Sequence, residues 1–261
     1  MTPDRHRMAA QLFLQALFPL LKVVLADQGN LSKKFQGVTA SIQFVARDDR
    51  EGDLGACLSF NNGTLEVVQG ICPDPAIAFK FSSVKRMAAM LAGKPARFRI
   101  GGFYRFGLLI KLLSLLMSLT LLMPTAKPKD PAKKRLKVKL SIYMMAAALS
   151  RYNKLGDPEM NKWTAKQPER IYQFSVTGED DIAAYLRVKA GNTQAGPGRY
   201  TKRTPFVHMK FRGIDEAIPV LLNEINMVKA VDQGYLSLEG SPEYARDLGN
   251  FLIRIQDLVM G

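Results

Sequence analysis

The sequence predicts an α+β fold built twice in tandem, and three observations predict it. Residues 75–84 (PAIAFKFSSV) are matched by residues 205–214 (PFVHMKFRGI), an offset of 130 (205 − 75). The same offset pairs Gln43-Phe44 with Gln173-Phe174 and Gly93 with Asn223, and residues 98–102 match 236–240 at 138 (236 − 98). An ordered series at nearly constant offset denotes a duplicated domain, with eight residues (138 − 130) gained late in the second copy. Each copy runs strand, helix, strand, helix, the apolar period switching from two to 3.6. Finally, 47% hydrophobic against 23% charged residues suits packed cores in a 261-residue chain.

Arg5 and Arg7 precede an apolar run over 8–26, in which Phe13, Ala16, Leu17, Leu20, Leu21 and Val24 keep helical spacing. Gln11, Gln15, Pro19 and Lys22 interrupt it, which suits an amphipathic helix lying on the domain better than a cleaved signal. A turn at 27–30 leads to a strand at 41–46 with Ile42 and Phe44 on one face. Strands 56–60 and 64–68 flank Asn61-Asn62-Gly63, a hairpin signal. In the repeated strand Ile77, Phe79 and Phe81 point one way, Ala78 and Lys80 the other. Ser82 or Ser83 caps the next helix and Gly93 stops it; strand 96–100 turns Arg97 and Arg99 outwards.

Residues 103–123 are almost wholly apolar, with Lys111, Ser114 and Ser118 in a thin stripe. A membrane span over 107–123 is the alternative, since its nine leucines outweigh Lys111 on an insertion scale. The repeat argues against it. The corresponding segment, 244–260, carries Arg246, Asp247, Arg254 and Asp257, so 103–123 is expected to cover its domain as a closing helix. Such a helix, apolar nearly all round, is buried on several sides or touches something greasy.

Residues 124–137 hold three prolines and six basic residues against Asp130, and read as an exposed linker. The expected division is a first domain at 1–123, this linker at 124–137, and a second domain at 138–261. The second copy has an opening helix at 138–149, a turn at 156–158, a strand bearing Tyr172, Phe174 and Val176, and a strand at 183–188. A Gly-rich basic loop at 192–203 precedes the repeated strand, where Val207, Met209 and Phe211 face inwards and His208 and Lys210 outwards. Helix 215–222, a strand at 235–238 and the amphipathic end at 244–260 complete it.

A net charge of +14 favours anionic partners: phospholipid headgroups, nucleic acid or acidic ligands. Cys57 and Cys72 have no counterparts 130 residues on, where Arg187 and Lys202 stand. That argues for two plain thiols over a disulfide or zinc site, and for a reducing compartment. His6 and His208 are the only histidines, and no Ser-His-Asp, P-loop or dinucleotide signature stands out. The reading is therefore of no catalytic residue, no metal and no cofactor, with the carboxylates at 48–51 and 179–181 as solvated turns. Nucleic-acid binding is the rival from charge alone. The basic residues lack a recognition helix and aromatic interleaving, so no nucleic-acid partner is expected.

An apolar strand ending in Lys-Phe, a short helix stopped by Gly, a strand ending in Gly and a hydrophobic closing helix together resemble the sterol carrier protein 2 family. The elements are 77–81, 84–93, 98–102 and 103–123, then 207–211, 214–223, 236–240 and 244–260. The resemblance implies two sterol-carrier-like domains, each a mostly antiparallel five-stranded sheet covered by helices on one face, and a non-enzymatic lipid-binding or lipid-transfer protein. A sterol, fatty acyl or isoprenoid chain would lie in an apolar tunnel between sheet and closing helix. In the first copy Ile77, Phe79, Phe81 and Ile100 would line it with Leu108, Leu112, Leu115, Leu116 and Leu119. In the second the set is Val207, Met209, Phe211, Leu238, Phe251, Leu252 and Ile255. The implied partners are a lipid and an anionic membrane surface, in a cytoplasmic or peripherally membrane-associated protein. A membrane-associated accessory factor in isoprenoid quinone biosynthesis is the alternative.

Overall fold

The computed structural model describes residues 4–260. The chain divides into two compact units, whose main bodies among the described residues are 4–120 and 121–257. Both are α+β.

The first unit opens with helix α1 (Arg5–Leu12), capped by the Asp4 carboxylate, which accepts from the amides of His6 (2.8 Å) and Arg7 (3.1 Å). A π turn (Phe13–Leu17) joins it to α2 (Leu20–Asp27). Pro19 has no N–H to continue the ladder, and the widened turn lets the Phe18 amide reach the Phe13 carbonyl at 3.0 Å. The expected helix on the domain is present: Leu12, Leu14, Ala16, Leu21 and Val24 are fully buried. The stretch Arg5–Asp27 is also long and apolar enough to cross a membrane by length and composition, though 67% of its most apolar window is buried within the fold. Helix α3 (Gly29–Phe35) follows, and Phe35 stacks on Phe60 at 4.6 Å.

Strands β1 (Ala40–Ala46), β2 (Leu54–Asn61), β3 (Thr64–Gln69), β4 (Ile77–Phe81) and β5 (Arg99–Gly101) form a sheet of order β3-β2-β1-β4-β5. The sheet is mixed, because β1 and β4 run parallel (Phe44 opposite Phe79) while the other neighbours are antiparallel. Helix α4 (Val84–Leu91), capped by Ser83, connects β4 to its antiparallel neighbour β5, and α5 (Phe106–Met117) leads into a 3-10 turn (Ser118–Leu122).

The second unit begins with α6 (Pro131–Lys154), seven residues (138 − 131) before the expected start. Asp130 caps it by accepting from the Lys133 amide at 2.9 Å, and Pro131 takes the first position, where a missing N–H does no harm. Part of the supposed solvated linker is thus helix, and Lys137 is 1% exposed. Helix α7 (Pro158–Ala165) precedes β6 (Arg170–Val176), β7 (Glu179–Lys189), β8 (Asn192–Pro197) and β9 (Val207–Phe211). The expected loop at 192–203 is therefore a strand in its first half; Ala190 (φ 45) and Gly191 (φ 85) make a tight turn that lacks the Asn-Gly signature. Helices α8 (Ile214–Leu221) and α9 (Met227–Asp232), strand β10 (Leu236–Gly240) and α10 (Pro242–Met260) follow.

Its sheet, in the order β10-β9-β6-β7-β8, repeats the first strand for strand, including the parallel central pair (Phe174 opposite Met209). Mixed pairing in both sheets corrects the expectation of a mostly antiparallel sheet. After the β2–β3 or β7–β8 hairpin on one side of the central strand, the chain of each copy crosses back to lay β4 or β9 along the other side in the same direction, which a hairpin turn cannot do. The eight additional residues fall where α9 stands. Helices α4 and α8 stop at Gly93 (φ 78) and Asn223 (φ 57), as the repeat predicts.

Candidate functional site

In the first unit Ile77, Phe79 and Phe81 share one buried face of β4. Aromatic packing fills that face. Phe79 stacks on Phe44 at 4.7 Å, Phe44 meets the edge of Phe18 at 5.0 Å, and Phe98 lies 5.8 Å from Phe79 and 5.4 Å from Phe81. On α5, Leu112 and Leu115 are buried, while Leu108, Leu116 and Leu119, like Ile100 on β5, are half-buried. The helix packs chiefly against α2 and α3. The structure thus gathers Phe79 and Phe81 of β4 in one aromatic cluster and packs α5 on the opening helices.

In the second unit Val207, Met209 and Phe211 are buried on β9, Phe251 and Ile255 on α10, and Leu238 and Leu252 are half-buried. Helix α6 lies across β7 and β8 and beside α8. Helix α10 is held by Trp163, whose Nε1 donates to Asp247 Oδ2 at 2.8 Å and whose ring sits 5.5 Å from Phe251 and 6.1 Å from Tyr244. The Arg170 guanidinium lies 4.0 Å from the Phe206 ring and 4.3 Å from that of Tyr244. Sequence reasoning missed this cluster because its members are spread from 163 to 251 and share no spacing.

Between α8, α9 and α10 the apolar surface is only partly covered. The Asn223 side chain donates to Gln256 Oε1 at 3.0 Å, and a Cβ on Gly249 would stand 3.5 Å from Met227 Cε. Gly249, Leu252 and Gln256 share one face of α10 at i, i+3, i+7, so Leu252 faces α8 and α9. There Ile218, Leu221, Leu222 and Leu238 are half-buried. The result is a greasy layer without a full lid. Two open hollows of about 380 Å³ (beside Leu25, Ser32 and Glu66) and 330 Å³ (beside Arg135, Glu179 and Asp215) lie elsewhere and are edged by charged groups.

The acidic turns are not free in solvent. Arg7 pairs with Asp48 and, at 2.9 Å, with Glu51; Arg135 pairs with Asp181 and, at 2.9 Å, with Glu179. The opening helix of each unit thereby pins the turn after that unit's first strand. The amide of Arg50, with help from the Arg7 guanidinium, holds the Asp48 carboxyl below its usual range.

His208 also differs from expectation. Its Nε2 lies 2.7 Å from Ser175 Oγ, and its Nδ1 faces Glu239 Oε2 at 3.6 Å, a Ser-His-acid line across β6, β9 and β10. Burial lowers the His208 pKa, so the ring is neutral near pH 7 and can accept a proton at Nε2. Ser175 is itself 0% exposed, which keeps this hydroxyl from any large substrate in this conformation.

No protein-family description matches the chain, and no curated protein matches it. Among the solved structures that resemble part of it are two forms of one enzyme. A double mutant of the sec-alkyl sulfatase PisA1 is 12% identical, over 56% of this chain and 28% of that one, with a TM-score of 0.28. The stereoselective inverting sec-alkylsulfatase Pisa1 from Pseudomonas sp. is 12% identical, over 55% and 28%, with a TM-score of 0.26. The chain covers well under a third of either neighbour's length. Both are forms of an enzyme, so the expectation that this chain is no enzyme is withdrawn; likeness at this level assigns no reaction to it.

Proposed function

We propose that the chain is a lipid-binding and lipid-transfer protein of sterol-carrier-like build, taking a sterol, fatty acyl or isoprenoid chain against its closing helices. The single observation that carries this reading is the partly covered apolar layer at Leu221, Leu222, Leu238 and Leu252, on the face that α10 turns towards α8 and α9. Each methylene laid into such a layer contributes roughly 0.8 kcal/mol, so a long chain gains on the order of 10 kcal/mol before entropic losses. Outward movement of α10 would open this layer to the lipid chain. We place the protein in the cytoplasm, at the membrane surface from which it draws its lipid.

Extraction of the purified full chain with organic solvent, followed by mass spectrometry, tests this. A co-purifying apolar-chain lipid in stoichiometric amount supports carriage, and isoprenoid quinone precursors among the extract would narrow the role to quinone biosynthesis. A lipid-free protein that also takes up no fluorescent fatty acid would overturn it.

The Ser175–His208–Glu239 line favours a second reading, hydrolysis of an acyl ester in the second unit. It requires β6 and β9 to part enough to bare Ser175 Oγ. Labelling of Ser175 by a fluorophosphonate, abolished in His208→Ala, would establish it; an unlabelled Ser175 would remove it.

A further inference from the structure

Helix α5 turns the wrong face to solvent for an ordinary surface helix. Phe106, Ile110, Leu113 and Met117 stand at i, i+4, i+7 and i+11, a single stripe, and are 63%, 63%, 47% and 68% exposed. The opposite face, with Leu112 and Leu115, is buried. Polar groups occupy only the flank, and they turn inwards: Ser114 Oγ donates to the Ile110 carbonyl at 3.0 Å and Thr120 Oγ1 to that of Met117 at 2.7 Å. Immediately before the helix, Phe103 and Tyr104 are 62% and 69% exposed, which extends the apolar stripe into the entry turn. A contiguous patch of this kind on a folded unit marks a contact surface.

The charge around the stripe says what it contacts. From residue 75 to residue 129 there is no Asp or Glu, while Lys80, Lys85, Arg86, Lys94, Arg97, Arg99, Arg105 and Lys111 fall within the first unit. Arg97, Arg99 and Arg105, next to the aromatic turn, are exposed. A second copy of the chain would bring like charges together at this face, and a neutral apolar partner would leave them unmatched. An anionic bilayer satisfies both features, with apolar side chains below the headgroups and cations among them.

We propose that α5 and its entry turn are a membrane-docking surface, which inserts Phe103, Tyr104, Phe106, Ile110 and Met117 into the interface of an anionic lipid bilayer. Tyr104 and Phe103 sit at headgroup level, as aromatic residues do at membrane boundaries. Docking at this face needs no bound cargo, so it stands or falls apart from lipid carriage.

The test is co-sedimentation of the full chain with phosphatidylcholine–phosphatidylglycerol vesicles and with pure phosphatidylcholine vesicles. The wild type is expected to pellet with the anionic vesicles, and to lose binding in high salt. The triple variant Phe106→Ser, Ile110→Ser, Met117→Ser should bind at least tenfold more weakly, because three apolar side chains no longer leave water. Arg97→Glu with Arg99→Glu should weaken binding to anionic vesicles by roughly fivefold per lost positive charge, or more. Should the triple variant not fold, Phe106→Trp gives an independent reading, since brominated acyl chains quench an embedded indole. A wild type that stays in the supernatant, a triple variant that binds equally, or an unquenched Trp at 106 overturns the proposal. So does a wild-type dimer that the triple variant converts to monomer without vesicle binding; that result would assign the stripe to a second copy. Vesicle binding by a protein whose solvent extract is empty would uphold docking while removing carriage.

Discussion

Gln43 and Gln173 make the same four hydrogen bonds in the two units. Gln43 Nε2 donates to the carbonyls of Phe44 (2.8 Å), Ala56 (3.1 Å) and Gly70 (3.1 Å), and its Oε1 accepts from the Cys72 amide at 2.6 Å. Gln173 Nε2 donates to Phe174 (3.1 Å), Ala184 (2.8 Å) and Gly198 (3.3 Å), and its Oε1 accepts from the Tyr200 amide at 2.9 Å. Both side chains are buried, at 1% and 2% exposure. Each ties a central strand to the far end of the outer hairpin, where the chain leaves the sheet and ladder bonds run out. A buried amide with this many partners is a specifying element, and the two units share it bond for bond.

Gln43→Leu and Gln173→Leu should each destabilise their own unit by about 3 kcal/mol, because several buried backbone groups lose their partner together. Hydrogen exchange read by mass spectrometry checks this. Faster exchange at 70–72 in the first variant and 198–200 in the second is expected, with the other unit unchanged. Equal protection in wild type and variants would show that water or a rotated peptide replaces the amide.

Gly102 and Gly240 form a second matched pair. Both have positive φ (73° and 94°), and a Cβ would stand 2.0 Å from the carbonyl oxygen of Ala76 or Phe206. The backbone must shift for any side chain to fit. Gly102→Ala and Gly240→Ala are expected to lose roughly 2 kcal/mol or more in denaturant melts. Gly101→Ala is the control: its nearest neighbour would lie at 3.7 Å, an ordinary contact, and it should melt like the wild type.

These pairs mark what the sequence makes legible. Gln43-Phe44 with Gln173-Phe174, and Gly102 with Gly240, stand out because the chain states them twice, and the likeness of the two sheets follows from the same repetition, whereas their parallel central pair does not. Strand β8 was not visible, since its turn uses Ala190 in a left-handed conformation that alanine seldom adopts. The Ser175–His208 contact was equally hidden: it joins β6 to β9 across a parallel pairing, and the first unit has Val45 and Ala78 in those places. The apolar run of 103–123 was legible as a closing helix, but which side of it faces water depends on α2 and α3, 70 or more residues away.

Stability should fall with alkali through buried acids, Tyr152, Cys57 and Tyr172, the last also raised by burial. Burial, with the nearby Asp157 carboxylate, pushes the Tyr152 hydroxyl from 10.0 up to about 12, and it donates to Asp157 Oδ2 at 2.6 Å. Burial, with the neighbouring Cys72, raises the Cys57 thiol from 9.0 to about 12. All three pKa values are higher in the folded than in the unfolded state, so unfolding releases protons above pH 9–10 and stability is lost as the pH rises towards 12. Urea midpoints measured across this range should decline from pH 9, and Tyr152→Phe should flatten the part between 10 and 12. The same burial makes Cys57 slow to alkylate in the native protein and fast in urea. A Tyr152→Phe curve parallel to the wild type would contradict the assignment.

Lys137 offers the sharpest contrast between a solvated tether and a buried post. Its Nζ donates to the carbonyls of Leu121 at 2.6 Å and Met123 at 3.2 Å, and burial lowers its pKa. A cation at the last carbonyls of a helical turn is favourably placed, and here it fastens the end of the 3-10 turn to α6. Lys137→Ala removes the two bonds and leaves a hole, and should lose about 2–4 kcal/mol. Lys137→Met fills the hole and spares the burial of a charge, so its loss should be nearer 1 kcal/mol. The order of the two variants in denaturant melts, with faster exchange at 121–126 in both, is the expected result. Two variants as stable as the wild type would mean that Lys137 is solvated and that α6 begins beyond it.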